Sequence, residues 1–227
     1  MKDIAFIMEQ CTRKHLKYLF LTYGLEILLF ICLIAINAGD TFYGIALLVV
    51  LLCLFRYHQT RIKSMVEEGA LTRILLLPLK RRSYMWSEVI FTTTTVCVMF
   101  MLLFAIWILG NAVFQPSSSI SAILLHAQRI SAFRFLFPYG LLHLMTILMY
   151  VVLLGLLTLT LALGLALKDK KASGIGGMLY FLWMNFLYGY SSTLILWISL
   201  FGYMIYICIC LYDLNILLGF KRKKVNV

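Results

Sequence analysis

The sequence predicts an all-α polytopic membrane protein with six transmembrane helices, an N-terminal interfacial helix and both termini in the cytoplasm. Three observations carry this. Hydrophobic residues make up 63% of the 227 residues and charged residues only 13%, against roughly 45–50% and about 25% in soluble domains. Six apolar stretches approach the ~20 residues a helix needs to cross a hydrocarbon core about 30 Å thick. The 20 Lys and Arg outnumber the nine Asp and Glu, and they are not evenly spread.

The stretches are residues 18–36, 41–55, 89–109, 136–167, 174–188 and 194–212. The second and fifth are short, and the fourth is long enough to tilt. Backbone groups at that depth find no water, so such stretches are helical; the alternation of a barrel strand is absent. Six spans place the N-terminal segment, residues 56–88, the connection between spans four and five and the tail on one side. These hold 18 of the 20 basic residues, leaving only Arg129 and Arg134 opposite. Positive charge accumulates in the cytoplasm, which sets the orientation. The same placement removes the reading of a +11 chain as a nucleic-acid binder.

Residues 1–16 are charged throughout and lack an apolar run of their own, so they are not read as a cleavable signal peptide. Ile4, Ile7, Met8 and Cys11 fall at i, i+3, i+4 and i+7, with Arg13, Lys14 and Lys17 beside them. That pattern predicts a helix lying on the cytoplasmic leaflet before the first span. In the outer loop, residues 110–135, Ser117 to Ser119 can cap a helix carrying Ile120, Ile123, Leu124 and Ala127 on one face, with His126 and Arg129 on another. Trp86 and Tyr139 near span ends fit an interfacial belt.

Enzymatic signatures are missing, and no cofactor is expected. Five of the six cysteines lie inside spans and none forms a C-x-x-C pair. The four histidines are scattered without metal-ligand spacing. Gly174-Ile175-Gly176-Gly177 lacks the lysine and hydroxyl of a phosphate loop and reads as close helix packing. Glu67-Glu68 resembles the paired glutamates of intramembrane CAAX-type proteases, but the required arginine is one position late at Arg73 and the spans lack the further histidines.

The long polar segment, residues 56–88, carries the most information. Ile62, Met65, Val66 and Gly69 keep helical spacing, so the second span is expected to continue into the cytoplasm as a helix and break at Gly69. Leu71 to Leu77 is apolar and ends at Pro78, with Lys80, Arg81 and Arg82 following and Glu88 opening the third span. Such a segment is covered either by the chain's own helices or by a cytosolic partner, since exposing it costs about 25 cal/mol per Å².

From Glu68-Gly69-Ala70-Leu71 through Leu77-Pro78 to Tyr84, this segment resembles the loop between spans two and three of type-2 ABC exporter permeases. The overall layout is similar as well. Two departures stand out: Glu88 occupies a position where the family often has lysine, and only residues 189–193 are left for an outer re-entrant element. The resemblance implies the transmembrane subunit of an ATP-binding cassette exporter in a cell membrane, bacterial by analogy. It would pair with a second permease copy and with a cytosolic ABC ATPase subunit. Glu67, Glu68, Gly69, Leu71, Leu75 and Pro78 would form the coupling helix, with the two glutamates as polar contacts and the two leucines as apolar anchors. An amphipathic peptide or lipid-like molecule is the expected cargo. A haem-exporter-type permease and a non-transporting immunity or sensor-partner protein are the alternatives.

Ionisable groups inside spans complete the reading. Glu26 lies nine residues past Lys17, about 13 Å along a helix and near the bilayer midplane. A carboxyl there is disfavoured by about 3 kcal/mol and normally faces a cavity or a partner. Either it lines a cargo path or it is neutral or hydrogen-bonded for packing. His143 is expected to make a helix-packing hydrogen bond and Asp213 to cap the sixth span.

Overall fold

A computed structural model describes residues 2–69, 71, 78–114, 119–129, 141–166, 201–212, 214 and 218. Every element among them is α-helical: α1 Lys2–Ala35, α2 Asp40–Glu67, α3 Pro78–Phe114, α4 Ile120–Arg129, α5 Leu141–Ala166 and α6 Phe201–Tyr212. Four helices are long and apolar enough to cross a membrane, over Arg13–Ala35, Asp40–Glu67, Ser83–Phe114 and His143–Ala166. They coincide with the first four expected spans. The fifth, residues 174–188, lies outside the described residues, and the sixth is described only from Phe201. Asp213, Leu75 and the Gly174 motif also lie outside them.

Two helices are longer than the hydropathy signal. The expected interfacial segment is not set apart by a break: α1 runs uninterrupted for 34 residues, about 51 Å. α3 begins at Pro78, eleven residues before the apolar stretch, because proline suits the first helical position, where its missing N–H is not needed. α2 follows its expected course. It continues 12 residues past Phe55, ends at Glu67, and the chain turns at Gly69 with φ of +69°. Glycine adopts that left-handed conformation without the steric penalty of a Cβ.

Backbone contacts arrange the four long helices in a ring. α1 packs on α2 and α3, and α5 packs on the same two from the other side. α2 and α3 therefore face each other diagonally across the bundle. Each helix directs a 3-4-spaced stripe inward: His15, Leu19, Thr22, Glu26, Phe30 and Ile34 on α1, and Tyr84, Glu88, Thr92, Val96, Met99 and Leu103 on α3. The outer faces carry exposed Phe20, Leu21, Leu28, Ile90, Met101 and Leu109. Polar groups inside and apolar ones outside reverse the soluble pattern, and lipid is the solvent that satisfies it. The chain is a membrane-embedded helical protein.

One end of the bundle is closed by aromatic rings. Phe30 lies 6.3 Å from Tyr43, and Tyr43 meets Trp107 edge-on at 5.5 Å. The outer helix α4 forms where its serine pattern places it, with Ser119 Oγ accepting from the Ala122 N–H at 3.3 Å. Ile123 and Ala127 are buried, whereas Ile120 on the expected apolar face is exposed. Trp107 Nε1 donates to the Ile123 carbonyl at 3.2 Å, and His126 stacks on the same indole at 5.7 Å. α4 thus covers the aromatic end of α3.

Candidate functional site

The opposite half of the interior is polar. α2 presents Tyr57, His58 and Arg61 on the face that also buries Leu54, Ile62 and Met65, because these positions recur every three to four residues. α3 answers with Glu88, Thr92 and Thr95. Backbones on the diagonal are too far apart to pack closely, so long polar side chains bridge them.

The strongest bridge is a two-pronged ion pair. Arg61 Nη1 donates to Glu88 Oε1 at 3.0 Å, and Nη2 donates to Oε2; both residues are fully buried. The planar guanidinium matches a carboxylate in this fork geometry. Its face also lies over the Phe91 ring, 4.7 Å from the centroid. An unpaired charge at this depth is prohibitive, so each group requires the other.

Next in the interior comes a second bridge. Thr95 Oγ1 donates to the Thr92 carbonyl at 2.8 Å, and His58 Nε2 sits 2.8 Å from that Thr95 hydroxyl oxygen. A hydroxyl has one proton, so the ring nitrogen is the donor and His58 carries its proton on Nε2. From α1, the Tyr23 hydroxyl donates to the Thr95 carbonyl at 2.9 Å. One turn beyond Tyr23 stands Glu26, wholly buried, with neither oxygen hydrogen-bonded. Tyr57 Oη, His58 Nδ1, Arg61 Nε and Thr92 Oγ1 are buried without partners as well. These unmet atoms gather in the same half of the interior as the Arg61–Glu88 bridge.

The expected coupling residues are split by the structure. Glu67 is exposed and pairs with Lys63 at 3.5 Å. Glu68 closes α2, accepts from Lys14 Nζ at 2.8 Å and from Ser64 Oγ at 3.0 Å, and so ties the tip to α1. Leu71, expected as an external anchor, is fully buried in the chain's own core. Pro78 starts α3. Among the described residues no group of His, Cys, Asp and Glu could hold a metal ion. His143 is buried at the start of α5.

Hydrogen bonds from Lys14 and Ser64, with the charge of Lys14 behind them, hold the Glu68 carboxyl below its ordinary pKa. A depressed carboxylate pKa gives a tie present at neutral pH and lost as pH falls through the folded value. Acidification should therefore release α1 from the tip, seen as lower amide protection factors over residues 13–17 once the intrinsic pH dependence of exchange is divided out. Glu68→Gln should show the lowered protection at every pH.

Arg61, His58, Tyr23 and Thr95 are site residues that sequence reading does not single out, and Glu88 enters it only as the residue opening the third span and a departure from the family pattern. Their signal is present only in retrospect: Tyr57, His58, Arg61, Ile62 and Met65 share one helical face, and Glu88 stands in an unusual place.

No family model, no curated protein and no solved structure matches this chain. What is established is a membrane-embedded bundle of helices with a polar half-interior centred on Arg61, Glu88, His58 and Glu26.

Proposed function

We propose that the chain is the transmembrane permease subunit of an ATP-driven exporter, energised by a separate cytosolic ATP-binding cassette ATPase and paired with a second permease. The supporting observation is the pair of long helices α2 and α3. α2 and α3 are about 42 Å and 55 Å long at 1.5 Å per residue, so both extend beyond a hydrocarbon core of about 30 Å. Their tip carries the exposed Glu67 and Glu68 beside the turn at Gly69, on the side that the basic residues mark as cytoplasmic. Below it, the Arg61–Glu88 bridge joins the two helices across the bundle. A displacement applied at the tip is transmitted to both helices together, the rigid-body motion an alternating-access cycle needs. Glu67, Glu68 and Leu75 make the contact with the ATPase, while Leu71 holds the tip to the bundle from beneath. An amphipathic peptide or lipid-like amphiphile is the cargo class that suits an apolar bundle with a polar interior, and Glu26 lies on its path.

Charge reversal at Glu68 combined with Leu75→Asp is expected to reduce ATP-driven export by about tenfold or more, the effect of losing central contacts in an interface. Membrane insertion and basal ATP hydrolysis should persist. Lys14→Ala is the control, since it breaks the internal tie of Glu68 and leaves the docking face unchanged. Full export by the double variant would remove the coupling role of this segment.

A further inference from the structure

Glu26 presents a problem of charge that the rest of the interior does not solve. It occupies the middle of the buried stripe of α1, its exposure is 0%, and both carboxyl oxygens lack a hydrogen-bond partner. Glu67 pairs with Lys63, Glu68 with Lys14 and Glu88 with Arg61.

Besides His15 of α1 and Tyr84 of α3, which are buried nearer the tip, the buried titratable and charged groups in this half of the interior are these. α1 itself supplies Tyr23, one turn before Glu26, and its hydroxyl is already given to the Thr95 carbonyl. α2 supplies Tyr57, His58 and Arg61. α3 supplies Glu88, which cancels Arg61. His58 spends its Nε2–H on Thr95 and meets no acceptor at Nδ1, so its ring is neutral. Among the described residues no net positive charge remains to hold a carboxylate anion in this medium, where an unpaired charge is strongly disfavoured.

Two ligands can resolve that, a metal cation or a proton. A dehydrated cation requires a shell of roughly six oxygen ligands, whereas among the described residues no group of three or more His, Cys, Asp or Glu could hold a metal ion. A proton requires one oxygen. We propose that Glu26 is a reversible proton-binding site, loaded in the closed bundle and discharged when the interior opens to water. Discharge breaks the carboxyl O–H bond, leaves the electron pair on the carboxylate and passes the proton to water. The proton exchanges through the polar half, where Tyr23, Thr95 and His58 lead toward Arg61, because Phe30, Tyr43 and Trp107 close the other direction. This inference rests on the membrane-embedded bundle alone and not on an ATPase partner.

The test is carbodiimide modification of the full chain in liposomes. The acid O–H adds across the reagent's C=N bond, and the O-acylisourea rearranges to a stable N-acylurea, so a loaded carboxyl gains the mass of one reagent molecule with nothing released. A membrane-soluble carbodiimide should modify Glu26 in the wild type and not in Glu26→Gln, which preserves shape and lets the bundle fold. Modification should fall as pH rises from mildly acidic to alkaline, by about tenfold per pH unit once the carboxyl ionises. A water-soluble carbodiimide should reach Glu67 and Glu68 and spare Glu26. Exchanging potassium for sodium at fixed pH should change nothing; protection by sodium would assign the site to a metal ion and overturn the proposal. Failure of Glu26 to react at any pH, with modification elsewhere intact, would overturn it too. Loss of the ATPase-coupled reading would leave all these outcomes unchanged.

Discussion

Arg61→Ala and Glu88→Ala are each expected to cost about 3–5 kcal/mol of stability, because either change strands the opposite charge in a fully buried site. That is a large part of the roughly 5–15 kcal/mol that keeps a typical domain folded. The cost comes from the survivor and not from the lost attraction. The double replacement Arg61→Met with Glu88→Leu should therefore recover most of it, since two apolar side chains of similar size fill the diagonal without any charge to desolvate. Arg61 also lies over Phe91, a contact methionine replaces in part through its own affinity for aromatic rings. Denaturant unfolding in detergent micelles, followed by tryptophan fluorescence, reads all three. Single variants within about 1 kcal/mol of the wild type would mean the pair is wet.

Gly155→Ala carries the second large effect. A Cβ at Gly155 of α5 would lie 2.8 Å from the Thr93 Cα and 2.7 Å from its hydroxyl on α3. Backbone cannot yield as a side chain can, so the two helices must move apart along their whole contact. Small residues permit such crossings in membranes, where close packing replaces the hydrophobic drive. The expected loss is about 2–3 kcal/mol, at the upper end for overpacking. Gly110→Ala meets only the flexible end of Ile34 at 2.9 Å and should cost less, and Gly24→Ala meets nothing within 4 Å and should be neutral. The order of melting temperatures in one detergent tests this: Gly155→Ala lowest, Gly110→Ala next, Gly24→Ala level with the wild type.

What the sequence makes legible here is local. The run of α2 beyond Phe55 follows from Ile62, Met65 and Val66 at helical spacing, and the turn follows from a glycine just after it. α4 follows from its serine cap and from apolar residues one helical turn apart. Pro78 reads as the end of an apolar run and is equally the first residue of a helix, since one chemical property serves both. The site is less legible because it depends on which helices lie diagonally. Arg61 reads as one more orientation charge among basic neighbours, and its partner Glu88 lies 27 residues away. Hydropathy treats both as markers of a loop, whereas each extends a helix. Leu71 shows the same limit from the other side: an apolar residue in a polar segment needs cover, and only the fold tells that the chain supplies it. Glu26 is the exception, because a carboxyl in a span announces itself; total burial and the absence of a partner are what the structure adds.

The account places the α2–α3 tip on the cytoplasmic face against an ATP-hydrolysing partner, and a photo-crosslinking residue at Glu67 in native membranes tests that most directly. Glu67 is exposed and pairs with Lys63 on the surface, so replacing it leaves the buried bridge intact. The account predicts an adduct with a cytosolic nucleotide-binding protein, diminished by Leu75→Asp, and no labelling of a cysteine at this position by impermeant reagents added outside the cell. Labelling from outside, or adducts that contain no nucleotide-binding protein, would contradict it.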